Sequence, residues 1–241
     1  MFAKGWKKGV FAIWLLLWPL LLVIHLYPIR IAAVRLGLLL VVFLIWLGML
    51  LLCWNRKSVR WAWFIISFIF VICCLWPKRT YNPQILREEY INSLLTYKGV
   101  PYVWGGENKR GIDCSGLMRC GLIDAEVKRG IATLNPSLVR AGFSLWWNDC
   151  SARAMKEEFQ GRTRLLFTAA SINQIDDAKI KPGDIAVTSN GVHVLAYVGN
   201  QTWIEADPNE IVGDQVIEVK TPARNAWFNM PVHVMRWREL E

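Results

Sequence analysis

The 241-residue chain has 28 Lys and Arg against 19 Asp and Glu, and 54% of its residues are hydrophobic. The positive excess belongs to the first third, because no acidic residue precedes Glu88 and ten of the basic residues occur up to Arg79. That leaves 18 basic and 19 acidic residues in 80–241, a balance that excludes a nucleic-acid-binding domain built on a basic surface.

Residues 1–79 contain three apolar stretches, at about 10–29, 36–54 and 59–76. A helix rises about 1.5 Å per residue, so about 20 residues cover the roughly 30 Å hydrocarbon core of a bilayer. Four tryptophans lie near the predicted ends, where indole rings favour the headgroup region: Trp14, Trp54, Trp61 and Trp76. We predict that residues 1–79 form a membrane anchor of three transmembrane helices, with the lipid bilayer as a partner.

A cleaved signal peptide is the alternative interpretation of the first stretch, since lysines precede it. Its apolar region is longer than the 7–15 residues or so that are usual for a signal peptide, and no small-x-small pattern precedes Arg30. Two further apolar stretches follow. The sequence therefore favours a retained anchor.

The charges of the loops predict the orientation. Six basic residues fall on the side of the N-terminus: Lys4, Lys7, Lys8, Arg56, Lys57 and Arg60. Four fall on the other side: Arg30, Arg35, Lys78 and Arg79. The excess predicts a cytoplasmic N-terminus. With three spans, this gives a multi-pass protein of the cytoplasmic (inner) membrane with residues 80–241 extracytoplasmic.

The remainder of the chain, 80–241, is predicted as one domain after a linker at 77–83. A first helix is expected from an Asn82 cap to Gly99, and a second from about Cys114 to Lys128. Residues 131–175 give mixed signals, with one helix predicted over 152–159.

Strand patterns follow the turn at 181–184. Alternating or buried apolar runs predict five strands, at 185–188, 192–198, 202–206, 215–219 and 232–237. Helices first and an antiparallel sheet afterwards predict an α+β domain.

Three of the six cysteines lie in this domain, and an odd number leaves at least one thiol free. Cys120 and Cys150 are predicted as buried thiols, although export would allow them to pair.

Cys114 is different, because it lies at the first turn of the second predicted helix. A helix N-terminus stabilises an anion by about 0.3–1 kcal/mol, which favours the reactive thiolate. Asp113 would oppose the thiolate if it faced it, so its carboxylate is expected to point toward a backbone amide or a substrate amine.

A thiol nucleophile needs a basic partner, and the domain contains two histidines, His193 and His233. His193 lies at the start of a predicted strand, where an imidazole can project from a sheet edge toward a helix N-terminus. His233 lies inside the last predicted strand, between Val232 and Val234, and is interpreted as structural.

A third group is expected to orient His193 through its other ring nitrogen, and the next strand supplies Glu205 and Asp207. The hairpin loop decides between them. A two-residue loop puts Glu205 on the wrong face; a three-residue loop centred on Gly199 sets Glu205 opposite His193. Centred on Asn200, it sets Asp207 opposite and Glu205 diagonal, still within reach. We predict Glu205, with Asp207 as the alternative.

Four segments in this order resemble the NlpC-type cell-wall peptidase family: 101–106 (PYVWGG), 111–117 (GIDCSGL), 181–185 (KPGDI) and 191–193 (GVH). The resemblance implies a compact papain-like α+β fold in which Cys114 attacks and His193 is the base. It implies that Tyr102 places its hydroxyl near the thiol or the oxyanion. It also implies that Asp113 and Ser115 line the pocket and help to hold a peptide amine.

Members of this family commonly cut peptidoglycan stem peptides, typically between D-glutamate and the diamino acid. The resemblance thus implies a cysteine peptidase acting on peptidoglycan peptides, with no cofactor and no metal. Two features depart from the family. The third catalytic position, usually histidine, is Glu205 here, and the usual basic-serine motif is not recognisable within 131–175.

Two other functions remain open at this point. The same Cys–His chemistry could act on lipid, as a membrane-proximal cysteine acyltransferase or lipid amidase. Alternatively, the domain could bind peptide without turnover as part of a membrane partner protein. A pure binder has no need of a thiol nucleophile, which favours the peptidase. Whether a further membrane protein is a partner is left open.

Overall fold

The computed structural model describes residues 5–77, 79–209 and 214–241. Lys4 and Lys78, which count in the charge comparison, lie outside the described residues. The chain divides into two compact units, Met1–Pro77 and Lys78–Glu241.

The first unit consists of three helices, α1 (Gly5–Leu26), α2 (Ala32–Cys53) and α3 (Lys57–Leu75). Each is long and apolar enough to cross a membrane, as predicted. The helix α1 ends at Leu26, before the predicted limit of 29, because Pro28 disfavours helical geometry in the residue that precedes it.

Two tryptophans of this unit bind backbone carbonyls of α2. Trp14 Nε1 donates to the Ile45 carbonyl at 3.0 Å, and Trp63 Nε1 donates to the Trp46 carbonyl at 3.0 Å. A Cβ at Gly48 would lie 2.5 Å from the Trp14 ring, so glycine permits this approach. The interpretation of Trp14 as a headgroup marker is therefore corrected: its indole N–H is satisfied by the neighbouring helix.

The second unit is an α+β domain, as predicted. Its helices are α4 (Pro83–Leu95), α5 (Cys114–Ala132), α6 (Pro136–Trp147) and α7 (Ala152–Lys156). A two-stranded sheet comprises β1 (Glu107–Asn108) and β2 (Gly111–Ile112). The main sheet is antiparallel, with order β3-β8-β4-β5-β6-β7, and comprises β3 (Thr163–Ala169), β4 (Ile185–Thr188), β5 (Val194–Gly199), β6 (Thr202–Asp207), β7 (Gln215–Lys220) and β8 (Val232–Trp237).

Several predicted boundaries differ from the structure. The helix α4 has the predicted Asn82 cap, whose side chain accepts from two backbone amides, but it ends at Leu95 instead of Gly99. The helix α5 continues past Lys128 to Ala132. The predicted helix over 152–159 ends at Lys156, because Glu158 adopts a left-handed conformation with φ +56°.

Two elements within 131–175 are present in the structure but were not predicted from the sequence. The helix α6 begins at Pro136 after an Asn135 cap, and β3 is an edge strand that pairs only with β8 among the described residues. Exposed residues alternate irregularly along β3 because a bulge interrupts its pairing between Leu165 and Phe167. A single edge strand with a bulge leaves a weak period-2 pattern in sequence.

The sheet is covered on both faces. One face packs on α4 and α5 through a core that includes Leu86, Tyr90, Leu117, Met118 and Trp237. The other face carries a smaller cluster around Trp203 and Phe228, below a short 3-10 helix, Ala226–Asn229. The first cluster includes Ile204 and the second Trp203, so alternation along β6 puts Glu205 on the face away from α5.

Candidate active site

The helix α5 begins with Cys114, whose side chain is buried at the helix N-terminus. Asp113 caps the helix: its Oδ1 accepts from the Gly116 amide at 2.5 Å and from Ser115 Oγ at 2.9 Å. Its Oδ2 accepts from the Gly105 amide at 2.8 Å. The carboxylate thus points toward backbone amides, one of the two expected directions, and ties the glycine turn to the first turn of α5.

Two glycines make this junction possible. A Cβ at Gly116 would lie 2.3 Å from the Gly106 carbonyl oxygen, and one at Gly106 would lie 2.5 Å from the Gly111 carbonyl oxygen. Any side chain at these positions would push the turn away from α5. The close approach holds the segment that carries Tyr102 beside Cys114.

His193 lies immediately before β5, where a tight turn fixes its backbone. Its amide donates to Thr188 Oγ1 at 3.0 Å, and its carbonyl accepts from the Thr188 amide at 3.0 Å. Gly191, within this turn, has φ +73°, which glycine adopts without strain. The ring therefore projects from a rigid position at the end of the sheet.

The His193 side chain connects two acidic groups. Its Nε2 lies 2.6 Å from Glu205 Oε2, and its ring lies beside Cys114, whose Sγ is 3.9 Å from the carbonyl oxygen of the neighbouring Val192. Both His193 and Glu205 are buried, with 2% and 0% exposure of their side chains. Cys114, His193 and Glu205 thus form a continuous buried chain of contacts, with the imidazole in the middle.

The hairpin register explains this contact. Ala196 pairs with Ile204 and Tyr197 with Trp203, the register expected for the loop centred on Asn200. The predicted three-residue loop is wrong, however, because a bulge after Tyr197 pairs Gly199 with Thr202 and leaves a two-residue turn, Asn200-Gln201. The register sets Asp207 opposite position 193 and Glu205 diagonal to it. The imidazole contacts the diagonal residue, because Asp207 is engaged elsewhere.

Asp207 belongs to a hydrogen-bond cluster that the sequence did not predict. Asn225 Nδ2 donates to Glu205 Oε1 at 2.9 Å and to Asp207 Oδ2 at 3.1 Å, so one amide bridges the two buried carboxylates. Trp227 Nε1 donates to Asp207 Oδ1 at 3.3 Å, and the Trp227 ring stacks on His193 with ring centroids 4.3 Å apart. No periodic pattern in the sequence indicated a role for Asn225 or Trp227, because both residues belong to an irregular segment after β7.

The surroundings shift the pKa of His193 upward. Burial by itself lowers it, but the neighbouring Cys114 side chain and the hydrogen bond and charge of Glu205 raise the pKa to about 9. Burial raises the pKa of Glu205, against the hydrogen bond and the charge of His193, which lower it, while the Asp207 charge raises it. The imidazole is thus held in its protonated form across neutral pH.

Tyr102 lies half-buried on the same side as Cys114, with its amide donating to the Asp214 carbonyl at 2.7 Å. Burial first, and then the negative charges of Cys114 and Asp113, raise the pKa of its phenol well above the usual range. The hydroxyl therefore keeps its proton and can donate a hydrogen bond.

The remaining candidates lie away from this site. Cys120 and Cys150 are buried free thiols, and burial raises the pKa of Cys120 above its usual range and that of Cys150 to about 12. His233 lies on β8, with Nδ1 3.4 Å from Ser189 Oγ. Within the described ranges, no three His, Cys, Asp or Glu side chains are grouped to hold a metal ion.

Comparison with known proteins gives the family. The model of the NlpC/P60 family matches residues 99–236, more than half of the 241-residue chain. Dipeptidyl-peptidase 6 of Lysinibacillus sphaericus is 32% identical over 68 residues, which are 28% of this chain and 24% of that protein. The chain thus spans about a quarter of the length of this curated relative.

Two solved structures are also similar. An NlpC/P60 family protein from Bacillus cereus ATCC 10987 has a TM-score of 0.41 and 15% identity, over 68% of this chain and 42% of that one. The NlpC/p60 domain of peptidoglycan hydrolase SagA has a TM-score of 0.33 and 20% identity, over 61% of this chain and 97% of that one. On the match of the family model, which covers the segments that carried the resemblance, the chain belongs to the NlpC/P60 family.

Proposed function

We propose that this protein is a membrane-anchored cysteine peptidase that hydrolyses amide bonds in peptidoglycan stem peptides. The observation that carries the proposal is the buried contact chain from Cys114 through His193 to Glu205, at a helix N-terminus. Family membership supports the reaction class. SagA, whose similar domain is described above, is a peptidoglycan hydrolase, which is consistent with the proposed substrate class.

In the proposed mechanism, the Cys114 thiolate attacks the scissile carbonyl carbon while His193 is protonated. The N-terminus of α5 and the Tyr102 hydroxyl stabilise the negative charge that develops on the carbonyl oxygen. His193 then donates its proton to the leaving amine, which gives an acyl-enzyme on Cys114. A water molecule, deprotonated by His193, hydrolyses the acyl-enzyme and restores the thiolate.

Glu205 is proposed as the group that orients His193, and Asn225 and Trp227 as residues that position this pair. Asn225 fixes the Glu205 carboxylate, and Trp227 covers one face of the imidazole. A hydrogen bond excluded from water is electrostatically stronger than an exposed one.

Asp113 and Ser115 take two roles in the proposal. The first is to hold the glycine turn against α5, for which the contacts are present. The second is to accept a hydrogen bond from a substrate amine. The Asp113 carboxylate binds three donors of its own chain, and a carboxylate offers about four lone-pair sites, which leaves one for substrate.

Digestion of defined muropeptides tests the function. Full-length protein in nanodiscs should release two fragments from a stem tripeptide or tetrapeptide, cut between D-glutamate and the diamino acid, as mass spectrometry would show. A matched sample of Cys114→Ala protein should release none. Release of fatty acid or transfer of an acyl chain from lipid, with muropeptides intact, would replace the peptidase by the lipid enzyme.

The proposed topology is a cytoplasmic N-terminus with the peptidase domain outside the cytoplasm, which is where peptidoglycan lies. A phosphatase reporter that is active only outside the cytoplasm, fused after Glu241, should be active in cells. A reporter that is active only in the cytoplasm should be silent at the same position. The reverse result would remove the cell wall as substrate, because the domain would then lie in the wrong compartment.

A further inference from the structure

The turn between α5 and α6 exposes two large aliphatic side chains. Ile131 is 65% exposed and Leu134 is 79% exposed. We define these two residues as the α5–α6 tip. Leu134 also has a left-handed backbone conformation, with φ +49°. Glycine or asparagine adopts this conformation at lower cost than leucine, so neither backbone geometry nor core packing accounts for leucine here.

The tip is attached to the start of the domain. The Arg79 amide donates to Ser137 Oγ at 3.2 Å, and Arg79 Nη1 donates to the Leu134 carbonyl at 3.1 Å. Arg79 is the fourth residue after Leu75, the last residue of α3. The tip therefore binds a residue that follows the third apolar helix closely in the sequence.

Basic residues flank the tip in the sequence. Between residues 127 and 148 the sequence contains three basic residues, Lys128, Arg129 and Arg140, and no acidic residue. Lys128 pairs with Glu89, but its side chain remains 65% exposed. Exposed aliphatic side chains flanked in sequence by basic groups match the chemistry of an anionic phospholipid surface, in which chains insert and headgroups bind cations.

We propose that the α5–α6 tip contacts the lipid headgroup region of the membrane. This inference rests on the membrane anchoring in the proposed function and adds a second, non-spanning contact to it. Cys114 and the tip lie at opposite ends of α5, which is 19 residues long. At about 1.5 Å per residue, the thiol is then about 27 Å along the helix from the lipid-contacting turn.

A photo-crosslinking amino acid tests the contact. Full-length Cys114→Ala protein, with benzoylphenylalanine at position 134, is placed in nanodiscs of phosphatidylethanolamine and phosphatidylglycerol and irradiated. Mass spectrometry should find a phospholipid adduct at position 134. It should find none with the crosslinker at position 165, a leucine of edge strand β3 that is 42% exposed. Absence of lipid adducts at 134, or adducts only with protein, would overturn the proposal.

A third position separates this inference from the anchoring on which it rests. Phe68 lies in α3 and is 65% exposed in the described chain. Adducts at 68 without adducts at 134 overturn the tip contact alone. Absence of adducts at both positions overturns the anchoring as well. Peptidase activity does not enter the measurement, because Cys114 is replaced throughout.

Leu134→Asn distinguishes a lipid contact from a structural role. Asparagine suits the left-handed turn, so the thermal unfolding temperature should stay unchanged or rise. The lipid adduct formed from a crosslinker at position 131 should be largely lost, since half of the aliphatic tip is gone. A fall in unfolding temperature with undiminished adducts at 131 would show that Leu134 serves the fold, against the proposal.

Discussion

Cys114→Ala is expected to lower the turnover of muropeptides by at least about 10³-fold, the scale of losing a catalytic nucleophile. The change removes one buried sulfur atom at a helix N-terminus, and the capping residue Asp113 keeps its three hydrogen bonds. The fold should therefore persist. Circular dichroism and the unfolding temperature check this directly, and initial rates by chromatography check the loss.

Thiol labelling gives an independent measurement of the same assignment. Among the three cysteines of the second unit, a charged, water-soluble alkylating reagent should modify Cys114 first, because a helix N-terminus favours the reactive thiolate. Cys120 and Cys150 should react much later, because burial raises the pKa of both thiols. Peptide mapping identifies the modified residue. Faster modification of Cys120 or Cys150 would contradict Cys114 as nucleophile.

The partner of the nucleophile can be tested in the same assay. His193→Ala should lose nearly as much activity as Cys114→Ala, and the double variant should be no worse than either single one. The effects of substituting residues that act together are strongly non-additive, so the second substitution should cause little further loss of activity. An additive loss in the double variant would mean that His193 and Cys114 serve different steps. His233→Ala is the matched histidine control, and should retain activity.

The second large effect concerns Glu205 and the dependence of activity on pH. The pKa of His193 is raised from about 6.5 to about 9, so the imidazolium persists through neutral pH and is lost as pH rises through about 9. The contribution of this proton to stability is therefore full below about pH 6.5 and is lost as pH rises to about 9, whereas activity, which needs the imidazolium, falls as pH rises through about 9. The upper limb of the pH profile of kcat/KM, where activity falls at high pH, should have its midpoint near pH 9.

Glu205→Gln removes the negative charge and keeps a group of the same size next to Nε2. The upper limb should move down by about one pH unit or more, the usual effect of removing one opposite charge at this distance. Glu205→Ala should lower activity further, by about 10²-fold or more, because the imidazole also loses its orientation. An upper limb that stays at pH 9 in Glu205→Gln would contradict the role of Glu205.

Glu126→Gln is the matched control for this series. Glu126 is also a buried glutamate, its Oε1 lies 3.1 Å from Arg162 Nη2, and burial raises its pKa to about 8. It lies 12 residues beyond Cys114 on α5, about 18 Å along the helix. The same chemical change there should leave the pH profile of activity unchanged. Asp207→Asn is unsuitable, because both of its oxygens accept hydrogen bonds, and an amide nitrogen would face a donor.

Much of the architecture could be predicted from sequence because its signals are local. Three apolar stretches of this length form stable structure mainly as helices of membrane length. Their bounds in the structure differ from the predicted bounds by only a few residues. Strands β4 and β8 have the predicted bounds, since both are short, mostly buried apolar runs, which a sequence shows clearly. Residues 131–175 were poorly predicted, because α6 begins at a cap after a left-handed leucine and β3 is a bulged edge strand.

The sequence by itself indicated which side chains are candidates for the chemistry: a thiol at a helix start, an imidazole at the start of a predicted strand and two carboxylates on the following strand. It also limited the hairpin to a few registers. Only the tertiary structure showed the pairing, with a bulge before a two-residue turn, and set Glu205, instead of the directly opposed Asp207, against His193. It did so through Asn225 and Trp227, which reach the site from an irregular segment 18–34 residues away in sequence. Such long-range contacts depend on packing of side chains and leave no periodic trace in the chain.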